Sequence, residues 1–355
     1  GGDIPFIRSA EISSDSTELR LTEKGLDNSS AALVECGCIL YALYGATSGE
    51  VAISRIKGAI NQAILAIVPS KNNSAEFVVA WLRREKPRIL DTYLQGGQGN
   101  LSGAIVKDLS LALPSGEEQS RIGALFAKLD SLIALHQREL DHVKELKKGL
   151  LQKMFPKEGA SAPELRFPGF TDPWEQHKVG DCFVFLQNNT LSRAELNDEG
   201  GVARNLHYGD ILVKFDDCLA DEVEELPYVS DAGVADKYVA SFLLAGDVVF
   251  ADTAEDEAAC KCVELLKLPN EPVVSGLHTI PARPKLSFGG GFLGHYLNSC
   301  SFHDQLLPLM QGIKVIAVSK TALQDARIVF PSLEEQEAIG GMLCKLDSLI
   351  ALHQR

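Results

Sequence analysis

The chain has 355 residues, of which 45% are hydrophobic and 23% are charged. This length allows two or three domains of roughly 100–200 residues, and the composition excludes a wholly disordered chain. The formal net charge of -14 excludes a strongly cationic, nonspecific nucleic-acid binder, but not a protein that reads DNA through local patches. A run of about 18 apolar residues, as a membrane helix needs, does not occur.

The predicted elements alternate between strands and helices. In chain order, apolar runs predict strands at 38–44 and 62–68, a helix at 78–84, strands at 210–215 and 247–250, and a helix at 294–298. The two mixed regions are therefore predicted to be α/β or α+β.

One long helix is predicted between the mixed regions, from 117 to 154. Ser115 is placed to cap its first amides, and apolar residues recur at seven-residue intervals, as in a coiled coil. Pro156 ends the helix because proline cannot continue one. The Gly- and Pro-rich segment after it predicts a linker that leads to a new domain at about Val179.

The sequence contains an internal repeat. Residues 113–138 read LPSGEEQSRIGALFAKLDSLIALHQR, and residues 330–355 read FPSLEEQEAIGGMLCKLDSLIALHQR; 18 of the 26 positions are identical at an offset of 217. Upstream, GCILYA at 37–42 resembles GDVVFA at 246–251. We infer two units, each a mixed region followed by the repeated helix. Their charges differ: residues 1–178 have a net charge of 21 - 22 = -1, and residues 179–330 have 11 - 22 = -11.

The cysteines and the chain start lead to further predictions. Two C-x-C pairs occur at 36–38 and 260–262, but zinc sites usually have wider spacings and a nearby His. We therefore predict reduced thiols, no metal and no cofactor. The first residues lack the pattern of a signal peptide, which predicts a cytoplasmic protein. Because the chain does not begin with Met, we also expect a fragment of a longer protein.

The repeated helix, the segment PELRFPGF at 163–170, Trp174 and the helix end LQKMF at 151–155 together carry a family resemblance. The sequence resembles the specificity subunit of bacterial type I restriction–modification systems over essentially its whole length. The resemblance implies two α/β (α+β) target-recognition domains, separated by long helices that form an antiparallel coiled coil. Each domain would read one half of a bipartite site in double-stranded DNA.

The resemblance also implies partners and boundaries. The subunit would be non-catalytic, would not contact membranes, and would direct methyltransferase subunits that use S-adenosylmethionine and a restriction subunit that uses ATP. It implies a first target-recognition domain at 1–112, a helical spacer at 113–157, a linker at 158–178, a second target-recognition domain at 179–329 and the start of the second helix at 330–355. Only 36 residues precede Gly37, whereas Trp174 lies 72 residues before Gly246. We therefore expect an N-terminally truncated first domain and a truncated second helix.

The candidate DNA contacts fall in a few short segments. The Gly-rich loop carries Gln95, Gln98, Asn100 and Ser102, and Gln and Asn side chains pair bidentately with adenine; the alternative is an ordinary flexible turn. The matching segment of the second unit offers Lys314, Ser319 and Lys320.

Weaker candidates each have an equally plausible structural role. Thr47 and Ser48 would contact phosphate or form a β-turn. Arg83 and Arg84 would neutralise phosphate or form a solvated helix face, and His278 would contact DNA or end a strand. The acidic segment 252–256 is expected to repel phosphate; the alternatives are that its carboxylates accept a hydrogen bond from the amino group of cytosine or bind a metal. For the partner subunits, we predict contacts with Arg138, Lys144 and Lys148 on the helix.

Three other functions were weighed. The motifs of metalloproteases, serine hydrolases and adenine methyltransferases are missing from the sequence, which argues against an enzyme. A truncated, silent recognition cassette is an alternative because the first unit is short. An acidic DNA mimic is a weaker one, because acidic residues are concentrated in the second unit rather than spread over the chain.

Overall fold

The computed structural model describes residues 2–94, 100–312 and 314–354. The chain divides into two compact units, unit 1 (Gly1–His136) and unit 2 (Gln137–Arg355). One long helix contributes residues to both units, so the division lies within that helix rather than at the linker.

The described residues of unit 1 form seven strands and four helices, the last of which continues into unit 2. The strands are β1 (Ile4–Ile7), β2 (Arg20–Leu21), β3 (Ala32–Val34), β4 (Ile39–Ala42), β5 (Val51–Ile53), β6 (Gly58–Ile60) and β7 (Ile64–Ile67). The helices are α1 (Glu23–Asp27), α2 (Ala75–Tyr93), α3 (Gly103–Lys107) and α4 (Gly116–Met154). Short 3-10 helices span Ser9–Glu11 and Gly45–Thr47.

Strand β4 is the centre of unit 1. It is buried along its whole length and pairs antiparallel with β5 on one side and β7 on the other. A second sheet has the order β2-β1-β6-β3, with β1 and β6 parallel. Helix α2 packs on the first sheet through Val78, Val79 and Leu82, whose burial supplies most of the stability of such an interface.

The described residues of unit 2 form thirteen further strands. They are β8 (Glu175–Lys178), β9 (Phe183–Phe185), β10 (Leu196–Asn197), β11 (Arg204–Leu206), β12 (Cys218–Leu219), β13 (Tyr228–Val229), β14 (Val248–Ala251), β15 (Thr253–Ala254), β16 (Cys262–Leu265), β17 (Val273–Ser275), β18 (Thr279–Pro284), β19 (Ile316–Ala317) and β20 (Arg327–Phe330).

The helices that begin in unit 2 are mostly short. They are α5 (Val179–Cys182), α6 (Tyr208–Val213), α7 (Ala232–Lys237), α8 (Phe292–Asn298), α9 (Cys300–His303), α10 (Lys320–Asp325) and α11 (Leu333–Gln354). The 3-10 helices are Arg193–Glu195, Asp221–Glu225, Val239–Ser241 and Leu307–Leu309.

The central sheet of unit 2 follows the plan of unit 1. Strand β14 is wholly buried and lies antiparallel between β16 and β18, as β4 lies between β5 and β7. The turn after the central strand is tight in both units, and Gly49 and Cys260 occupy it with φ of +83° and +69°. The mixed α/β class with two sheet-rich domains and long helices is thereby confirmed. The antiparallel coiled coil stays a prediction.

One strand prediction was wrong. Residues 210–215 were predicted to form a strand, but Tyr208–Val213 is helix α6. His207 caps this helix by accepting a hydrogen bond from Gly209 N at Nδ1, and Ile211 and Phe215 bury one face at helical spacing. The other strands and helices expected in the mixed regions are present.

The repeated helices α4 and α11 contact their own domains through equivalent residues. Gln119 and Gln336 are equivalent, and each donates to the carbonyl of the proline five residues earlier, at 2.9 and 2.8 Å. Each also accepts a backbone N–H from its domain, from Ser74 and Gly289 respectively. One turn later, Gly123 and Gly340 lie so close to the domain backbone that an added Cβ would be 2.8 Å from Phe77 N or 2.4 Å from Gly290 O.

The linker is anchored in the core of unit 2. The Phe155 ring packs edge-on against Trp174 and Tyr296, at centroid distances of 6.4 and 5.3 Å. Arg166 donates two hydrogen bonds of 2.7 Å to Glu335, a carboxylate that is only 1% exposed. The linker thus fixes the start of α11. In the described part of the chain, we find no helix with the length and apolar character of a membrane span.

Candidate functional site

A cleft of about 560 Å³ opens on the surface of unit 2. Its polar lining includes Asp252, Thr253, His278, Gln311 and Ser319. An adjoining hollow of about 220 Å³ shares Asp252 and Ser319 and adds Asn188 and Lys320. We call these two hollows together the unit 2 cleft.

Backbone hydrogen bonds bring three distant segments together in the cleft. Asp252 follows the end of β14, and its N–H donates to His278 O at 3.0 Å in the turn between β17 and β18. Val318 N, after β19, donates to Asp252 O at 2.9 Å. The next residue, Ser319, caps α10 by accepting a hydrogen bond from Ala322 N. Three strand ends therefore converge on one surface.

His278 has an unusual backbone conformation. Its φ of +54° lies in the left-handed region, which costs a non-glycine residue energy and is common at binding sites. This conformation places the imidazole edge-on to Tyr208, at 5.4 Å between ring centroids, with Nδ1 at 3.3 Å from Asp252 Oδ1. Asp252 Oδ1 is buried and makes no hydrogen bond to any described residue. The pair thus offers an unsatisfied acceptor and a nearby ring nitrogen.

The cleft combines different hydrogen-bonding chemistries. Lys320 is exposed, and its ammonium lies 5.2 Å from the centre of the Phe185 ring, a cation–π contact that restricts its position. Ser319 accepts a bond within α10 and keeps its own hydroxyl proton for donation. Asp252 accepts, Lys320 donates and His278 does either. Such a set suits recognition of base edges and phosphates.

The corresponding surface of unit 1 has the same backbone with different side chains. Leu43 N donates to Ala63 O, and Leu101 N donates to Leu43 O, matching the two bonds that connect Asp252 with His278 and Val318. Asn100 lies beside Tyr44 and accepts a hydrogen bond from Gly45 N at 3.1 Å.

Of the four DNA contacts predicted in the unit 1 loop, the structure describes Asn100 and Ser102. Ser102 caps α3 by accepting a bond from Ile105 N, as Ser319 caps α10. Gln95 and Gln98 lie outside the described residues.

Thr47 and Ser48 were the predicted phosphate contacts in the turn after β4. Ser48 is only 5% exposed and donates to Leu43 O, so its hydroxyl lies in the interior and drops out of the candidate phosphate contacts. The neighbouring Thr47 donates to Tyr44 O and closes the turn at an exposed position. The β-turn alternative describes this segment better, because both hydroxyls donate to nearby carbonyls.

The basic cluster on α2 makes ion pairs while its arginine side chains stay exposed. Arg83 donates to Val51 O and pairs with Asp130 on α4, so it joins the domain to the repeated helix. Arg84 pairs with Glu85 at 2.9 Å, and Lys86 pairs with Glu50. The phosphate contacts of Arg83 and Arg84 stay a prediction.

The remaining predicted contacts are exposed. Lys314 lies just before β19, the strand that leads to Val318 and Ser319 of the cleft. Arg138, Lys144 and Lys148 lie on α4. Their roles stay predictions.

Three residues of the cleft region were missed by the sequence analysis. Asn188 and Thr253 line the cleft, and Tyr208 supports His278. Thr253 was detectable, because it follows directly after Asp252 at the end of a predicted strand. Asn188 and Tyr208 lie far from the other candidates in the chain, so local patterns carried no signal for them.

The comparisons with known proteins can be set against this geometry. Residues 1–145 match the family model described as type I restriction modification DNA specificity domain. The MjaVIII specificity subunit of Methanocaldococcus jannaschii, a type I restriction enzyme subunit, is 22% identical over 324 residues, which cover 89% of this chain and 74% of the relative. The chain is similar to type I restriction–modification specificity subunits.

Other similarities agree with this family. A putative MjaX specificity subunit of the same organism is 23% identical over 310 residues, covering 82% of this chain and 66% of the relative. The fold resembles that of the type I restriction–modification S subunit from M. genitalium, with a TM-score of 0.57 and 13% identity over 99% of this chain and 84% of that one. The silent-cassette and DNA-mimic alternatives are not favoured by these matches.

Proposed function

We propose that this chain is a specificity subunit that recognises a bipartite DNA sequence, with unit 2 reading one half-site through the unit 2 cleft. The observation that carries the proposal is the pairing of one backbone framework with two sets of side chains. Leu43 and Ala63 of unit 1 occupy the positions of Asp252 and His278 in unit 2. Two domains that place different side chains on one framework are suited to reading two different half-sites.

The acidic character of unit 2 is compatible with this role. Asp252 lies on the cleft floor, where a carboxylate accepts a hydrogen bond from the amino group of cytosine in the major groove. Lys320 stands beside it and supplies a positive charge for a phosphate or a guanine edge. The net charge of the domain therefore matters less than the charges at the cleft.

The proposal extends to the partner subunits. We expect the chain to be non-catalytic and to direct adenine methylation by methyltransferase subunits that bind S-adenosylmethionine, and restriction by a subunit that hydrolyses ATP, in the cytoplasm. Arg138, Lys144 and Lys148 on α4 are the proposed docking residues, because they are exposed on the repeated helix. Absence of binding to a cognate methyltransferase subunit in a pull-down would contradict this docking.

The decisive experiment maps N6-methyladenine genome-wide in a host that carries this chain and its methyltransferase partner. We expect a bipartite motif with a fixed gap that vanishes when the gene for this chain is deleted. A short or half-symmetric motif would mean that only one domain reads DNA. Failure to find any motif with the partner expressed would overturn the proposal.

Variants of the cleft then test which surface reads the sequence. His278→Ala and Lys320→Ala should relax or weaken recognition of one half-site and leave the other intact. The matched control is Lys267→Ala, an exposed lysine that pairs with Asp221 outside the cleft. If His278→Ala and Lys320→Ala methylate the same motif with the same efficiency as Lys267→Ala, the cleft is not the reading surface.

A further inference from the structure

A second cluster of reactive side chains lies in unit 2, where the repeated helix α11 packs against the domain. Cys218 starts β12, His295 lies in α8 and Cys344 lies in α11. One ligand atom from each of these residues lies within 4.8 Å of the other two. The C-x-C pairs evaluated in the sequence are not part of this cluster, which is assembled from three distant segments.

The spacing of the cluster suits a tetrahedral metal. Cys218 Sγ is 3.8 Å from His295 Nδ1. A zinc ion with bonds of about 2.3 Å to sulfur and about 2.0 Å to nitrogen holds these atoms roughly 3.6 Å apart. The bound geometry therefore requires only a small adjustment of the side chains.

The other ring nitrogen of His295 is held as it is in many metal sites. His295 is 1% exposed, and its Nε2 lies 2.7 Å from Asp347 Oδ2. Lys147 pairs with both Asp347 and Asp217, which raises the Lys147 pKa although burial opposes its charge. A carboxylate that accepts from one ring nitrogen orients the other towards a metal.

Glycines leave room around both sulfurs. A Cβ on Gly291 would lie 2.3 Å from Cys344 Sγ, and a Cβ on Gly294 would lie 3.0 Å from Cys218 Sγ. Glu264, 2% exposed, accepts the N–H groups of both glycines at 2.9 and 2.8 Å. This buried carboxylate holds the glycine loop in place beside the thiols.

Thiolate is the form of cysteine that binds a metal, so both cysteines would be deprotonated in the metal-bound site.

We propose that Cys218, His295 and Cys344 bind one zinc ion as a structural site. Binding releases three protons to solvent, one from each thiol and one from His295 Nδ1, which otherwise faces Gly291 O. Two thiolates balance the charge of the ion, and no electron is transferred. A water molecule completes the tetrahedron. The ion would connect β12, α8 and α11 and so fix the second repeated helix on its domain.

The site would be specific to unit 2. Cys344 is equivalent to Ala127 in the first repeat, and Asp347 is equivalent to Asp130, which pairs with Arg83 instead of a histidine. We call the contact of each repeated helix with its own domain a joint. The first joint, made by α4, is thus held by an ion pair, and the second, made by α11, is proposed to be held by a metal.

Metal content tests the proposal directly. Plasma mass spectrometry of the full chain, purified without chelators, should find one zinc per chain. Cys344→Ala, which introduces the residue already present in the first repeat, and Cys218→Ala should each lose the zinc. Cys38→Ser, with a comparably half-buried thiol, and Cys300→Ser, with an exposed one, should retain it. Zinc contents that are equal in all five proteins, or zero in the native chain, would overturn the proposal.

Cobalt substitution reports the ligands independently of function. Co²⁺ added to the metal-free full chain should give intense visible d–d bands of a tetrahedral site and a thiolate charge-transfer band in the near ultraviolet. Both should vanish in Cys344→Ala, while circular dichroism confirms that this variant is folded. Weak octahedral bands, or a Cys218–Cys344 disulfide found by mass spectrometry under reducing purification, would contradict a zinc site.

Discussion

Units 1 and 2 share a backbone framework but differ in the side chains that it presents. In both, the residue after the central strand donates to one turn and accepts from the segment before a serine-capped helix. In unit 1 the residue is Leu43, and in unit 2 it is Asp252. The comparison teaches that the framework depends on backbone hydrogen bonds, so the side chain at this position is free to differ, from the buried Leu43 to the partly exposed Asp252.

The joints with the repeated helices show a similar division. Gln119 and Gln336 make the same bonds, and Gly123 and Gly340 make the same close approach. Glu118 and Glu335 are also equivalent, but Glu118 is exposed whereas Glu335 is buried against Arg166. The variants below measure where the two joints are alike and where they differ.

The largest effect is expected at this buried ion pair. Arg166→Ala should lower the free energy of unfolding by about 3–5 kcal/mol, because it leaves the Glu335 carboxylate buried without its partner. Glu118→Ala, at the equivalent exposed position of the first joint, should change it by less than about 0.5 kcal/mol. Urea titration of the full chain measures both values. Similar losses of unfolding free energy in the two variants would mean that the exposed Glu118 and the buried Arg166–Glu335 pair matter equally for their joints.

The glycine contact is expected to have the next largest effect. Gly340→Ala should destabilise the chain by about 1–3 kcal/mol, because the new Cβ meets the Gly290 carbonyl. The adjacent Gly341 has nothing within 4 Å of its added Cβ, so Gly341→Ala should stabilise the helix by up to about 1 kcal/mol. Thermal unfolding of the two single variants provides the comparison. Equal shifts in the two melting temperatures would refute the close approach of α11.

Base recognition by unit 1 should depend on its loop amides. Gln98→Ala and Asn100→Ala are each expected to relax specificity at one half-site, with a loss of discrimination of about 1–3 kcal/mol for each bidentate contact. Methylation mapping shows which positions of the motif become degenerate. Equal loss at both half-sites would contradict a model in which each domain reads DNA separately.

The smallest effect concerns electrostatics at the start of α10. Lys320→Ala should reduce the slope of log binding constant against log salt concentration by about 0.9, the value for one phosphate contact. Gly103 occupies the equivalent position at the start of α3, so Gly103→Lys should increase the slope by a similar amount if the framework presents both residues alike. Fluorescence anisotropy of the complex with the methyltransferase subunit measures the slopes. An unchanged slope for Lys320→Ala would assign this lysine to base contact or to no contact.

Local sequence patterns were sufficient for the parts of the molecule whose structure depends on near neighbours. The helix α4, its start near Ser115, and strands β4, β7 and β14 were predicted because apolar spacing and capping act within a few residues. The repeat predicted the two-unit organisation because equal sequences form equal elements. The same local reasoning mistook α6 for a strand, since a six-residue segment with four apolar side chains fits both structures and a His207 cap is a weak signal.

Long-range contacts decided the chemistry of the surfaces and joints. Asp252 was expected to avoid the phosphate backbone, and only backbone pairing between distant segments places it beside His278 in the cleft. Arg83 pairs with Asp130, 47 residues away, a contact that the sequence did not indicate. Cys218, His295 and Cys344 also lie far from one another in the chain. Ion pairing, burial and ligand geometry depend on which residues the fold brings within a few ångströms, and no local pattern encodes that.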